Sequence, residues 1–396
     1  MDRLRVVCVL FLCGIASVSI ATDLVIESLD GNGQLIFNEV PNVSTYRVEQ
    51  ASSLGGSWGF FTNIPPSGTG TITSSIPLAA SAQFFRVVAE LEPTPEGMAL
   101  IPAGSFQMGD TFGEGYSSEL PVHSVYVSGF YVGKYEVTND EMVEVMQWAH
   151  DNGKLIVSSS SITNAQGNQQ KLLDLDDVGC RITWDGSTFG IKSEKGSGYP
   201  CFEVSWYGSA AYCNYRSEME ERTPCYNLSD WSCDFSANGY RLPTEAEWEK
   251  AARGGLNGKR FDWGDTINHN YANYWANGSA YPYDTSPYTT YTFHPSYADG
   301  DVPYSNPVGS FAPNGHGLYD MVGNMWEWCS DWYDGEYYAS SPSSNPRGAS
   351  TGLNRVMRGG CWAHNAKSCR SAGRLGGSPS DSRYFIGFRA ALPAKP

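Results

Sequence analysis

The sequence predicts a small all-β sandwich followed by an α+β domain of low regularity. Three observations carry that reading. Residues 24–91 run through short alternating strands between turns with no helical period. Three later segments read as helices, two of them with start and stop signals. The remainder is rich in glycine (43 residues) and in aromatic side chains (13%), a composition that suits a turn-rich globular core filled with rings. At 396 residues the chain is long enough for two or three domains.

The first 21 residues read as an export leader. Arg3 and Arg5 form a basic start, Val6 to Ile15 an apolar run, and Ser19-Ile20-Ala21 a small-x-small cleavage site before Thr22. The apolar run is too short to cross a bilayer as a helix, and no later stretch is long and apolar enough either. The expectation is an exported protein, periplasmic or secreted, without a membrane span. A formal charge of −16 argues against nucleic acid and anionic membrane as partners.

In chain order, Leu24-Val25-Ile26 and Gln34-Leu35-Ile36-Phe37 flank Asp30-Gly31-Asn32-Gly33, a hairpin signal. Tyr46 to Glu49 alternates cleanly, and Trp58 to Phe61, Thr71 to Thr73 and Phe84 to Val88 complete a small sandwich over residues 22–91. Residues 92–97, Glu-Pro-Thr-Pro-Glu-Gly, form a stiff polar linker. The second domain, residues 98–392, opens with a hairpin over Met98 to Gly109 and continues with strands at Val122 to Val127 and Phe130 to Val132. Thr138 with Glu141 is a capping box, and Gly153 closes that helix. A second helix runs from about Trp206 to Met219, with the small residues Ala210, Cys213 and Ser217 on its Trp206 face. A third has Thr244 as N-cap, Glu247 closing the box and Gly254-Gly255 as the stop. Residues 264–313 form a long polar loop, a length usually functional or held by something bound to it.

Cleavage of the leader leaves eight cysteines: Cys180, Cys201, Cys213, Cys225, Cys233, Cys329, Cys361 and Cys369. An even count in an oxidising compartment favours disulfides, with Cys225 and Cys233 placed for a local bridge across a short polar loop. Zinc is the rival, but the sequence lacks a C-x-x-C pair and an H-x-x-x-H.

Several segments then match one family in order: Met98 to Gly109, Tyr135 to Asn139, Val204-Ser205-Trp206, Arg241 to Glu249, Asn314 to Trp328, Arg358-Gly359-Gly360 and Gly387-Phe388-Arg389. On these motifs the second domain resembles the sulfatase-modifying factor family, that of the formylglycine-generating enzymes, over nearly all of residues 98–392. The resemblance implies a low-regularity α+β fold, similar to that of C-type lectins, commonly with bound calcium. The first module resembles the fibronectin-type-III-like modules of exported bacterial proteins, and its plainer reading is a spacer without chemistry.

Calcium takes six to eight oxygen ligands. Asp320 and Glu327 bracket a tight turn at Gly323, where the carbonyls of Val322 and Met325 can turn inward, and these positions match one calcium site of the family. Asn273, the Tyr274 carbonyl and Asp299 resemble a second. The alternative is that Asp320 and Glu327 cap turns or pair with arginines.

Formylglycine-generating enzymes share a G-G-S-Y/W-x-C-x-x-x-x-C segment whose cysteines hold copper(I), an ion suited to soft thiolates. Counting from Gly360, His364 stands at the first cysteine position and Cys369 at the second, and Cys361 replaces the serine. Counting back from Arg389 and Arg374, Cys369 leaves the site. Three readings stay open. In the first, Cys361 and Cys369 lie in disulfides, with Cys329 or Cys213 as candidate partners, and the domain binds rather than catalyses. In the second, His364 and Cys369 hold a metal in an altered site. In the third, the domain still oxidises a sulfatase cysteine to formylglycine with oxygen and copper. The leading expectation is a calcium-stabilised binding or accessory domain, its pocket near Trp326, Trp362, His364 and Arg374, with an exported protein or peptide as partner, sulfatases among the candidates.

Overall fold

The computed structural model describes residues 5–10, 26–29, 34–39, 43–51, 57–67, 71–75, 84–91 and 94–394. The chain divides into two compact units, residues 1–94 with 394–396, and residues 95–393.

In the first unit the strands are β1 (Arg5–Leu10), β2 (Ile26–Leu29), β3 (Gln34–Asn38), β4 (Val43–Ala51), β5 (Gly59–Ile64), β6 (Thr71–Ser75) and β7 (Phe84–Leu91). They form two antiparallel sheets, ordered β1-β7-β4-β5 and β2-β3-β6. Alternation decides the faces: Leu35 and Phe37 of β3, Tyr46 and Val48 of β4 and Val87 of β7 are buried. Phe37 meets Tyr46 edge-on at 4.9 Å, a contact between the two sheets. The stretch expected to be a leader contributes β1, which pairs with β7 at the sheet edge. The hairpin residues Asp30 to Gly33, and Leu24 and Val25, lie outside the described residues.

The second unit opens with β8 (Met98–Ile101), β9 (Gly104–Met108), β10 (His123–Val127) and β11 (Phe130–Gly133). Helix α1 (Asn139–Asp151) begins at the Thr138–Glu141 capping box. Short hairpin strands β12 (Leu155–Val157), β13 (Ser161–Asn164), β14 (Lys171–Asp174), β15 (Ile182–Trp184) and β16 (Phe189–Ile191) follow. Helix α2 (Trp206–Met219) is capped by Ser205, whose hydroxyl accepts from Gly208 N–H. Helix α3 (Glu245–Ala252) begins at the Thr244–Glu247 box. The last strands are β17 (Trp326–Trp332), β18 (Arg355–Arg358), β19 (Arg374–Gly377), β20 (Ile386–Gly387) and β21 (Ala391–Pro393).

Two sheets organise this unit. β21 and β8 flank β11, so the domain's first and last strands close on one another, with Val132 opposite both Ala99 and Ala391. The sheet β19-β18-β17-β20 brings Trp326, Glu327, Arg358 and Arg374 into neighbouring register. Between the sheets lies an apolar core in which Trp248 and Ala251 of α3 pack with Ile101, Val125, Val132 and Val356. Residues 264–313 hold no helix or strand element among the described residues. They are fixed instead by ring contacts such as Trp263–Tyr271 (5.0 Å) and Trp275–Phe293 (5.7 Å), over a small core of Ile267, Ala272, Tyr274 and Ala276.

Candidate functional site

The double glycine shapes the site. Gly359 and Gly360 have φ of +94° and +72°, a region that favours residues without a Cβ. A Cβ on Gly360 would stand 2.5 Å from Cys369 Sγ, and one on Gly359 would stand 3.2 Å from the Trp248 ring. The chain thus folds tightly over Cys369 and then turns through Cys361 to His364. Cys361 Sγ lies 3.0 Å from His364 Nδ1, and Trp326 Nε1 donates toward the same nitrogen at 3.3 Å.

Beside His364 lies a cavity of about 500 Å³, lined by Tyr116, Trp326, Tyr333, His364, Lys367 and Arg374 among others. Its volume lies in the usual range for binding pockets. The Lys367 ammonium sits 3.9 Å over the Tyr116 ring. Arg374 contributes a stacked guanidinium, 4.8 Å over Tyr333, but its charge is taken by Glu245 through two bonds of 2.7 Å. Three of the four expected pocket residues therefore converge. Trp362 does not: it turns into a separate cluster with Phe202 and Met325, against Phe293 and Tyr304. Tyr116, Tyr333 and Lys367 were not expected there, because single aromatic and lysine residues outside a motif carry no distinguishing signal.

The two sulfurs lie close together beneath the double glycine and away from the cavity wall. Cys361 and Cys369 are 0% and 1% exposed, and neither lines the cavity. Burial pushes both thiols well above the ordinary cysteine range, so both are protonated at neutral pH. Burial also lowers the pKa of His364, which is a neutral imidazole there. Copper(I) is held by thiolates, so binding it here would release the protons of these two buried thiols. The eight cysteines of the second unit, from Cys180 to Cys369, are all unbridged. The local bridge expected between Cys225 and Cys233 is not formed; Cys225 Sγ is directed instead at the Gly239 carbonyl, 3.3 Å away.

The expected calcium ligands form two packed groups. Asn273 bridges to Gly323, and Asn324 N–H donates to the Asn273 carbonyl at 2.9 Å, which joins the long loop to the Asp320–Met325 turn. Asp320 accepts from Gly309 N–H (2.6 Å) and Asn306 Nδ2 (3.1 Å). Glu136, fully buried, accepts from Asn324 Nδ2, while its Oε2 and the Oδ1 atoms of Asn273 and Asn306 lack partners. Burial, then the Asp320 and Glu327 charges, push Glu136 well above the ordinary carboxylate range. Such unpartnered buried oxygens suit a hard cation. Glu327 does not stand free for one. Its oxygens take Arg389 at 2.6 and 2.7 Å and Trp248 Nε1 at 2.7 Å. Asp299 pairs with Lys195 Nζ at 2.7 Å, and that ammonium also bonds the Asp301 and Pro303 carbonyls. The Tyr274 carbonyl faces His269 Nε2 at 3.0 Å. Among the described residues, no three His, Cys, Asp or Glu side chains converge as a metal site.

A family model described as the sulfatase-modifying factor enzyme 1-like domain matches residues 85–394. The formylglycine-generating enzyme of Streptomyces coelicolor is 34% identical over 319 residues, covering 75% of this chain and 90% of that protein. The inactive C-alpha-formylglycine-generating enzyme 2 of Bos taurus is 30% identical over 318 residues, covering 75% and 88%. The crystal structure of CarF superposes with a TM-score of 0.51 at 25% identity, covering 76% of this chain and all of that one. On the family model and these identities, the chain belongs to the sulfatase-modifying factor family.

Proposed function

We propose that this chain is a non-catalytic member of its family, a binding or accessory protein that receives a peptide or glycan-bearing partner in the cavity beside His364. One observation carries the reading: the cavity wall holds no sulfur, and Cys361 and Cys369 are buried away from it. The residues that line the cavity include aromatic rings, a neutral imidazole, Lys367, the Glu245-paired Arg374 and the acid Glu336, which suit recognition better than oxygen activation. A relative named inactive makes such a role consistent with the family.

The proposal includes calcium as a structural ion near Asp320, held largely by amide and backbone oxygens, with Glu327 kept by Arg389. When bound, the ion would offset the crowded Glu136 and Asp320 carboxylates. The proposal also includes export, a C-type-lectin-like arrangement of the second unit, and a fibronectin-type-III-like spacer ahead of it.

The test is a thiol titration of the folded protein. The expected result is few or no reactive cysteines before denaturation, and all of them after it. Chelation should lower the melting temperature, and Asp320→Asn should remove that response; indifference to chelator would discard the calcium part. The second reading, a formylglycine-generating oxidase, draws on the two unbridged sulfurs below the double glycine. Two fast-reacting thiols that take up one copper(I) would favour it.

A further inference from the structure

A second cavity, of about 490 Å³, is lined by Trp206, Trp231, Phe235, Trp332, Arg347 and Arg355 among others, and shares no residue with the cavity at His364. Arg355 is 7% exposed, its guanidinium held between the rings of Trp206 (3.7 Å) and Trp332 (3.5 Å). It makes one hydrogen bond, from Nη1 to the Ser330 carbonyl at 2.6 Å, and its Nε has no partner. The other buried arginines of the described residues, such as Arg358, Arg370, Arg374 and Arg389, each have a carboxylate in ion-pair range. Among them Arg355 alone has none, and a buried cation without a counter-charge is costly.

Neither nearby acid forms an ion pair with it. Asp331 is fully buried, accepts from Glu245 N–H at 2.9 Å and is pushed up to about 8 by burial, so it is largely a neutral acid at neutral pH. Asp230 lines the cavity but its carboxylate holds Ser232 N–H and Oγ at 2.9 and 2.7 Å. Arg347, which is exposed, lies 4.3 Å over Phe235 and has no ion pair among the described residues. The result is a ring-walled cavity with two cations, Arg355 and Arg347, and one exposed acid, Asp230, in ion-pair range of neither.

We propose that this cavity binds the carboxylate of a small organic acid, with buried Arg355 and exposed Arg347 as its charge partners. A carboxylate matches the planar guanidinium edge. One monoanion also matches one uncompensated buried cation, and the aromatic walls suit an organic body that an inorganic oxyanion lacks. The inference stands on Arg355 and is independent of the cavity at His364.

The experiment titrates the full chain with sodium glucuronate, N-acetylglycine, glucose and inorganic sulfate, read by tryptophan fluorescence and calorimetry. At least one carboxylate should bind, and glucose should not. A preference for glucuronate assigns the site to acidic sugars, and one for N-acetylglycine assigns it to peptide C-termini. Arg347→Ala, on an exposed position, should weaken binding by about tenfold, and Arg355→Gln should abolish it. His364→Ala should leave it unchanged. The proposal is overturned if neither carboxylate binds, if Arg347→Ala retains full affinity, or if sulfate binds as tightly as the better carboxylate.

Discussion

Replacing Gly360 with alanine probes the feature on which the site is built. Two costs add. A residue with a Cβ at φ +72° pays roughly 1–2 kcal/mol for the left-handed conformation. The new methyl would also stand 2.5 Å from Cys369 Sγ and 3.0 Å from Cys369 Cα, an overpacking of about 1–3 kcal/mol. The sum is about 2–5 kcal/mol, or a fall in Tm of roughly 3–8 °C for a domain of this size. Thermal and denaturant unfolding measure it. Cys369→Ala in the same background should return only part of the loss, because the crowding against the Cys369 backbone and the φ penalty remain. A Gly360→Ala variant within about 0.5 kcal/mol of wild type, the scale of an ordinary surface substitution, would refute the placement of Cys369 beneath the double glycine.

Three further outcomes follow from the same geometry. Glu245→Gln leaves the Arg374 guanidinium buried without its bidentate partner and should cost about 3–5 kcal/mol; the double variant with Arg374→Met should cost clearly less than the two single changes together. Asp331 has its pKa raised by burial to about 8, so its contribution to stability is full below the ordinary aspartate range and is lost as pH rises through about 8. Asp331→Asn, which keeps an acceptor for Glu245 N–H, should therefore flatten the fall in stability between the ordinary aspartate range and about pH 8 and be the more stable form by about 1 kcal/mol or more at pH 8.5; equal pH profiles would count against it. Lys195→Ala removes the ammonium that ties Asp299 to the Asp301 and Pro303 carbonyls, and hydrogen exchange should speed up within residues 295–305 while α3 stays protected.

The helices were legible because their signals are local. Thr138 with Glu141, and Thr244 with Glu247, lie three residues apart, and both boxes form. The double glycine was legible for the same reason. The ion pairs beneath it were not: Glu245 and Arg374 are separated by 129 residues and Glu327 and Arg389 by 62, and nothing local marks them as partners. That distance explains why Glu327 reads as a calcium ligand in the sequence yet faces Arg389 in the fold. Trp362 shows a related limit. Its proximity to Gly360 indicates burial, but its direction depends on Phe202, Phe293 and Tyr304, which come from elsewhere in the chain. In the long loop, ring stacking and isolated bridges replace periodic structure, so no repeat in the sequence announces its order.

The proposal that the chain does not catalyse is tested most directly by offering it a substrate to oxidise. The purified chain, supplied with copper(I) and oxygen, is incubated with a peptide bearing a sulfatase cysteine motif, and the peptide is followed by mass spectrometry. The account predicts an unchanged cysteine and no oxygen uptake above the protein-free control. Conversion of that cysteine to formylglycine, lost in Cys361→Ser or Cys369→Ser protein, would contradict it.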